Sequence, residues 1–190
     1  MPFSLRRPSD ERVRRFLDRE KELPFTYGDI GATRGDPPSG FVFDQIQANL
    51  GRGADVFERA KEAIRAWAMF PPQIAQVAPA ATPIEEGRVV ALRIRSWGLW
   101  ALCSCRIVYT IDESRRFGFA YGTLPGHLAM GEERFLVEWR ADDSVVYDLC
   151  AFSRPRHWLA RLGYPMVRRG QSAFRGASAA AMRRAVQTTE

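Results

Sequence analysis

The chain has 190 residues, of which 46% are hydrophobic and 12% aromatic, which is enough for one well-buried core and too little for two. No apolar run approaches the roughly 20 residues that cross a bilayer, and charges interrupt residues 1–16, where a secretory signal would have its apolar centre. Three cysteines, an odd number, fit a reducing compartment better than a disulfide framework. We therefore expect a single-domain cytoplasmic protein without a transmembrane segment.

The net charge of +6 lies in the C-terminal segment. Residues 155–190 carry seven arginines and one glutamate, whereas residues 1–154 carry 21 basic and 21 acidic side chains. A basic segment of this kind is more often a solvated helix face than a surface for nucleic acid or an anionic membrane. It also lacks the interleaved aromatic residues on which single-stranded nucleic acid stacks. Polyanion binding is therefore the weaker alternative.

Residues 1–39 are polar and rich in proline, glycine and arginine, and we expect them to form an N-terminal extension. A helix is predicted over residues 9–22, because Ser9 is a typical N-cap and Pro24 would end the helix. Its apolar face is thin. We therefore expect this helix to pack on a core that residues 40–190 complete.

Residues 41–50 alternate between apolar and polar and predict a first strand, with Asp44 on the apolar face. Apolar spacing of i, i+3 and i+4 predicts a helix over residues 54–70, which the Pro71-Pro72 pair would end. A short apolar run at residues 74–77 predicts an edge strand.

From residue 88 onward the apolar pattern has a period of two, which predicts a meander of five antiparallel strands. The predicted strands begin near residues 88, 99, 117, 135 and 145. Residues 156–187 then have helical spacing, and Pro165 is expected to kink the first third of that helix.

This order predicts an α+β protein, in which a curved antiparallel sheet of six to seven strands is covered by the long C-terminal helix. Each element has one apolar face, and only this arrangement lets all of them bury it. The order is similar to the helix-grip arrangement of the START and Bet v 1 superfamily over about residues 40–187.

Residues 121–127 and 131–135 contain three glycines, a proline, a histidine and two adjacent carboxylates. A chain reversal between strands needs far less than this. The segment resembles the signature of the DUF1990 (UPF0548) family of uncharacterised proteins, and residues 151–155 resemble the second block of that family. The resemblance implies a START and Bet v 1 type of fold and implies no activity.

Two adjacent carboxylates on a strand point to opposite faces, and Glu133 shares its face with Phe135. Glu133 is therefore the interior candidate, and Glu132 points outward. His127 and Glu133 are candidates for the acid and base of a hydrolase, cyclase or isomerase at the mouth of a cavity. The simpler alternative is that Glu133 pairs with an arginine and His127 caps a turn. We favour it, because no serine or cysteine accompanies the pair at a triad spacing.

Tyrosine and threonine hydroxyls on the inner face would orient a ligand in a mostly apolar pocket, although the same aromatic residues also suit a filled core. Arg154 precedes Pro155 at the start of the last helix, and we expect it to pair with Glu132 or Glu133 and fix the loop at the cavity mouth. The predicted ligand-binding residues are Tyr121, Thr123, His127, Glu132, Glu133, Tyr147 and Arg154.

No metal or cofactor is expected. Cys103, Cys105 and the two histidines of the chain have no zinc-site spacing, so the cysteines are interpreted as small buried apolar residues. The Gly51-Arg52-Gly53 step lacks the ending of a P-loop. The leading hypothesis is a protein that binds a small hydrophobic or amphipathic molecule between sheet and helix. The sequence does not indicate which molecule, nor the oligomeric state.

Overall fold

Eight antiparallel strands form one sheet in the computed structural model, which describes residues 3–96, 98–156 and 164–187. The strands are β1 Phe3–Ser4, β2 Val42–Arg52, β3 Ala75–Ala78, β4 Val89–Ser96, β5 Leu99–Asp112, β6 Arg116–Thr123, β7 Ala129–Trp139 and β8 Ser144–Pro155. Their order across the sheet is β2-β8-β7-β6-β5-β4-β3, and β1 pairs with the beginning of β5. The predicted meander and the predicted edge strand are confirmed, and the two-residue β1 is an addition.

Within the described residues, three α-helices accompany the sheet: α1 Asp10–Glu20, α2 Ala54–Arg65 and α3 Tyr164–Val186. The predicted N-cap of α1 is confirmed, since the Ser9 hydroxyl accepts a hydrogen bond of 3.2 Å from the amide of Arg12. Pro165 is the second residue of α3. The part of the predicted helix before α3 falls mostly outside the described residues. None of the helices in the described parts of the chain is long and apolar enough to cross a membrane.

Helix α2 ends at Arg65, five residues before the predicted end. Trp67 has a φ of 56°, and the amide of Ala68 donates to the carbonyl of Ala63, which closes the helix with a left-handed residue in a Schellman arrangement. This residue is normally glycine. Here the buried indole of Trp67, which donates to the carbonyl of Thr82 at 2.8 Å, holds the conformation by tertiary contacts.

Helices α2 and α3 cover the concave face of the curved sheet, so the predicted helix-grip arrangement is confirmed. The core between the layers is aromatic. Phe119 and Phe135 stack with ring centroids 5.3 Å apart, and Trp67 meets Phe119 edge-on at 5.0 Å. Phe119, Phe135 and Tyr147 have 0% of their surface accessible to water, so none of them borders a void large enough for a water molecule. The deep part of the interface is therefore filled.

The N-terminal residues lie on the opposite, convex face of the sheet. Val13 of α1 packs in a small apolar cluster with Ala78, Ala91 and Leu102. Residues 25–34, which we call the strap, then cross the convex face and contact strands β5 to β8. The expected packing of the extension on the core is observed. The boundary at residues 39 and 40 stays a prediction.

Candidate functional site

One row of cross-strand neighbours differs from the rest of the concave face because it is polar. Asp44 of β2 lies opposite Ala151 of β8, which lies opposite Glu133 of β7, which lies opposite Tyr121 of β6. We call these four residues the polar row. The next row toward the core is Ile46, Leu149, Phe135 and Phe119 and is fully apolar. Directly opposite residues share a face of the sheet, so the four residues of the polar row lie side by side on the concave face.

Glu133 is half-buried in this row, and the Tyr121 hydroxyl donates to its carboxylate at 2.5 Å. Burial raises the pKa of Glu133 to about 7, while the Tyr121 hydrogen bond and the positive charge of Arg175 act in the opposite direction. Near neutral pH this carboxyl is therefore protonated in a large fraction of the molecules. Such a group beside an apolar core reduces stability, and groups of this kind are found most often at functional sites.

Two arginines of α3 point from above at the Asp44 end of the row. Both guanidinium amino groups of Arg168 donate to the Asp44 carboxylate, the longer contact being 2.6 Å, and Arg175 lies 3.1 Å from the same carboxylate. The hydrogen bond from Arg168 lowers the pKa of Asp44, with a smaller contribution from the charge of Arg175. Arg168 and Arg175 are seven residues apart, which places them on one face of the helix.

The raised pKa of Glu133 predicts a pH-dependent stability. The folded protein holds this proton to a pKa of about 7, and the unfolded chain releases it near the ordinary value of 4.5, so stability falls as the pH rises between those values. Glu133→Gln should therefore raise the free energy of unfolding by about 1–3 kcal/mol near pH 8 and change it little below about pH 4.5. Chemical denaturation of both proteins at the two pH values measures this.

Tyr121→Phe is a second test, because it removes the hydroxyl that lowers the Glu133 pKa. In this variant, the fall in stability should extend to higher pH. Glu138→Gln on the same strand is the control, since Glu138 makes an exposed pair with Arg140 at 3.3 Å. An equal stabilisation by Glu133→Gln at both pH values would contradict a titrating Glu133.

Glu132 points to the convex face, as the alternation predicted, and anchors the strap. Its carboxylate accepts hydrogen bonds from the Tyr27 hydroxyl at 2.7 Å, from the amide of Gly31 at 2.7 Å, and from the amide of Thr33 at 3.0 Å, together with the Thr33 hydroxyl. A second buried carboxylate, that of Glu20, accepts from the amide of Gly126 at 2.6 Å. The carboxylates of the signature segment and of α1 thus join the N-terminal extension to the sheet.

Two glycines of the signature segment leave room for that extension. A Cβ at Gly122 would lie 2.1 Å from the Tyr27 hydroxyl oxygen and 2.9 Å from the Phe25 ring, and one at Gly126 would lie 2.5 Å from the Phe16 ring. The glycines that appear excessive for a chain reversal are therefore explained by close approach of the extension.

Gly122→Ala should consequently destabilise the protein by about 1–3 kcal/mol, since Tyr27 cannot move away without losing Glu132. The matched control is Gly176→Ala on an exposed turn of α3, where a Cβ meets open space and alanine should be neutral or stabilise by up to about 1 kcal/mol. Thermal unfolding of the two variants tests the difference. A Gly122→Ala protein as stable as the parent would show that the strap does not pack there.

The connection between β6 and β7 is shorter than the sequence suggests, because β7 begins at Ala129 and the carboxylates lie within it. His127 lies in this turn, with its Nδ1 3.0 Å from both the amide nitrogen and the carbonyl oxygen of Ala129. Burial lowers the pKa of His127 to about 4. Within the described residues, no hydrogen bond joins His127 to Glu133, so the turn-capping alternative describes the observed contacts of the histidine.

The remaining predicted ligand contacts lie apart from the polar row. Tyr147 is fully buried two rows deeper, and its hydroxyl lies 2.8 Å from that of Ser178. The Thr123 hydroxyl accepts from the amide of Gly131 at 3.0 Å and lies 2.5 Å from the hydroxyl of Thr26.

Arg154 does not form the predicted ion pair. It is exposed, its guanidinium lies 4.6 Å from the centre of the Phe41 ring, and its Nε contacts the sulfur of Met130. Glu132 is occupied by the strap and Glu133 by Tyr121, so neither carboxylate is available to it. The expectation that Arg154 fixes a carboxylate at the loop is therefore wrong.

The three cysteines are free and buried, and burial raises the pKa of Cys103 to about 12 and that of Cys150 to about 11. Their burial agrees with the interpretation of the cysteines as small buried apolar residues. Within the described parts of the chain, no three His, Cys, Asp or Glu side chains converge as metal ligands would.

The basic C-terminal segment is divided between two environments. Arg168 and Arg175 turn toward the polar row, whereas Arg169, Arg183 and Arg184 are exposed on α3. Because the inward pair serves Asp44, the described helix presents fewer cations to solvent than its sequence suggests. This observation further weakens the polyanion alternative.

Residues 26–181 match the family described as "Domain of unknown function (DUF1990)". The chain belongs to the DUF1990 family. A UPF0548 protein of Deinococcus radiodurans is 37% identical, with 92% of this chain and 93% of that protein covered. A UPF0548 protein of Dictyostelium discoideum is 33% identical, with 90% of each chain covered. The signature segment that suggested the family, residues 121–135, thus lies within a match that spans most of this DUF1990 chain.

Solved structures with a similar fold are much more distant in sequence. Protein Ms6760 of Mycobacterium smegmatis aligns with a TM-score of 0.52 and 14% identity, over 81% of this chain and 99% of that one. Truncated norcoclaurine synthase of Thalictrum flavum aligns with a TM-score of 0.50 and 12% identity, over 82% of this chain and 100% of that one. These similarities support the helix-grip fold of the DUF1990 chain.

Sequence reasoning missed the α3 half of the candidate site. Asp44 was detectable as a carboxylate on the apolar face of a strand, and Arg168 and Arg175 as arginines two helical turns apart. Nothing in the local pattern indicates that these three meet, because β2 and α3 are more than 100 residues apart in sequence. Ala151 gave no signal at all.

Proposed function

We propose that this DUF1990 protein binds a small amphipathic molecule at the polar row. The observation that supports the proposal best is Glu133, a half-buried carboxyl in the polar row that borders the apolar core of the concave face. Functional sites retain such groups although they reduce stability.

The ligand would lie against the polar row. Leu149, Phe135 and Phe119 of the next row have no accessible surface, whereas Glu133, Ala151, Ile46 and Phe174 are half-buried. Ala151 is small and lies between Asp44 and Glu133 in the row, so its own side chain fills little of the layer above the sheet. Ile46 and Phe174 pack against the core and offer an apolar wall beside it.

The fold is compatible with this role and does not select it. Norcoclaurine synthase and the ARO/CYC protein BexL, which aligns with a TM-score of 0.53 at 14% identity, carry the names of enzymes. One fold supports several activities, so the site has to decide among them. The polar row offers one exchangeable carboxyl and a tyrosine hydroxyl, and it is not joined to His127, so binding is the function its contacts favour.

A substitution that fills the row tests the proposal. The neutral fluorescent probe N-phenyl-1-naphthylamine should bind the parent protein, and Ala151→Leu should weaken its binding by about tenfold or more, since the new side chain occupies the space between Asp44 and Glu133. Ala141→Leu, at an exposed position of the turn before β8, is the matched control and should bind like the parent. Native mass spectrometry and solvent extraction of the purified protein would then identify a co-purifying ligand.

Two results would contradict the proposal. If the probe does not bind the parent, the polar row is not an amphiphile site. If it binds Ala151→Leu as tightly as the parent, the site lies elsewhere in the protein.

A further inference from the structure

Arg175 carries hydrogen-bond donors that the protein does not use. Its guanidinium side chain is only 11% exposed, and its ion-pair contact is the 3.1 Å approach to Asp44. Among the residues that the structure describes, no acceptor receives a hydrogen bond from Arg175 in good geometry. A guanidinium has five N–H donors, so most of those of Arg175 are left for solvent or a ligand.

The charges around Arg175 leave a positive surplus. Asp44 is a single carboxylate that faces two guanidinium groups, and Arg168 already contacts both of its oxygens. Glu133 is a second carboxyl within electrostatic range of Arg175, but burial raises its pKa to about 7. With Glu133 protonated, the cluster of Asp44, Arg168 and Arg175 carries one net positive charge.

Donors also converge from the sheet side. The Tyr121 hydroxyl and a protonated Glu133 carboxyl lie in the polar row beneath α3, beside Ala151. The apolar ring of Phe174 is adjacent to Arg175 in the helix and packs on Phe70 with centroids 5.6 Å apart. An anion beside Arg175 would therefore have an apolar surface along which a chain could extend.

We propose that the ligand of the polar row is an amphipathic carboxylate whose head group is bound by Arg175 and accepts a hydrogen bond from Glu133. This inference rests on the proposed function. The Glu133 carboxylate takes up one proton from solvent when the ligand arrives, because two carboxylates so close together cannot both stay ionised. The head group then replaces the charge that Glu133 gives up.

The groups that act electrostatically on Glu133 come from every packed element. They are Tyr121 of β6, Tyr147 and Cys150 of β8, Asp44 of β2, Cys105 of β5 and Arg175 of α3. Burial raises the pKa of each of these tyrosines and cysteines above its ordinary value, so all four are neutral at pH 7. Only Asp44 and Arg175 are charged, and their effects oppose each other. Glu133 is therefore the group that changes charge upon binding.

Isothermal titration calorimetry with three probes of equal chain length tests the inference: n-decanoate, n-decanol and n-decylamine. Decanoate should bind about tenfold more tightly than decanol. Arg175→Gln should abolish this preference, and Arg175→Lys should restore part of it. Arg169→Gln, an exposed arginine on the same helix, is the matched control and should retain the full preference.

Proton uptake is read from the binding heat in two buffers of different ionisation enthalpy near pH 8. Decanoate should take up a proton when it binds the parent, and this uptake should be absent in Glu133→Gln. Equal affinity for decanoate and decanol, or a preference for decylamine, would overturn the carboxylate inference and leave ligand binding intact. If none of the three probes binds while N-phenyl-1-naphthylamine does, only the inference fails; if neither type binds, the proposed function fails as well.

Discussion

Glu132→Ala is expected to lower the free energy of unfolding by about 3 kcal/mol or more. The carboxylate of Glu132 serves donors from three strap residues, Tyr27, Gly31 and Thr33. Its removal leaves buried amide and hydroxyl groups without an acceptor, and each such group costs about 1–3 kcal/mol. Urea denaturation at neutral pH gives the difference.

The same variant should release the strap. Arg34 is exposed but is held over the Tyr109 ring at 4.0 Å, and the preceding carbonyl of Thr33 accepts from Arg134 at 2.8 Å. Limited trypsin digestion should therefore cut after Arg34 faster in Glu132→Ala than in the parent. Glu138→Gln is the control on the same strand. A loss below about 0.5 kcal/mol with unchanged cleavage would show that Glu132 does not hold the strap.

Phe119→Ala is expected to cost about 3–5 kcal/mol, the range for a fully buried aromatic side chain whose removal leaves a cavity. Phe119 has no accessible surface and contacts the rings of Phe135 and Trp67. In a filled core these neighbours lose their packing partner. In a hollow one, the ring would border space already empty and its loss would change ligand affinity more than stability.

Phe43→Ala is the matched control, because it removes the same phenyl ring from an exposed position. Phe43 is 41% exposed on the edge strand β2, so the same substitution there should cost less than about 1 kcal/mol. Chemical denaturation of both variants measures the contrast. A Phe119→Ala protein as stable as Phe43→Ala would contradict a filled interior.

Periodicity alone identified the sheet, the edge strand and the helices, because each of these elements buries one face. It placed the ends of elements less well where a distant contact sets them. Helix α2 ends at Arg65 because the buried Trp67 adopts a left-handed conformation. The sequence does not indicate this end, because the left-handed residue is not a glycine. Strand β7 begins at Ala129, earlier than expected, because its glycine-containing start pairs fully with β8.

The sequence predicted which face of the sheet each carboxylate of the candidate site points to, but not which residues it contacts. Alternation assigned Glu133 to the inside and Glu132 to the outside, and both assignments are confirmed. The partner chosen for them, Arg154, was a basic residue of the second signature block, whereas the structure supplies Tyr27 from the strap to Glu132 and Tyr121 from β6 to Glu133. Long-range partners are set by the packing of whole elements, which a single sequence does not display.

Glu132 and Glu133 point to opposite faces of the sheet, so contacts on both faces fix the register of β7 against β8. A slip of one residue along β8 would exchange their faces, so the strap would lose its acceptor and a charged group without a partner would enter the concave side. Most strands are held in alignment by apolar residues on one face alone. In β7, the contacts on each face independently disfavour a shift of one residue. We therefore expect β7 to be the strand of the sheet that tolerates an inserted residue least.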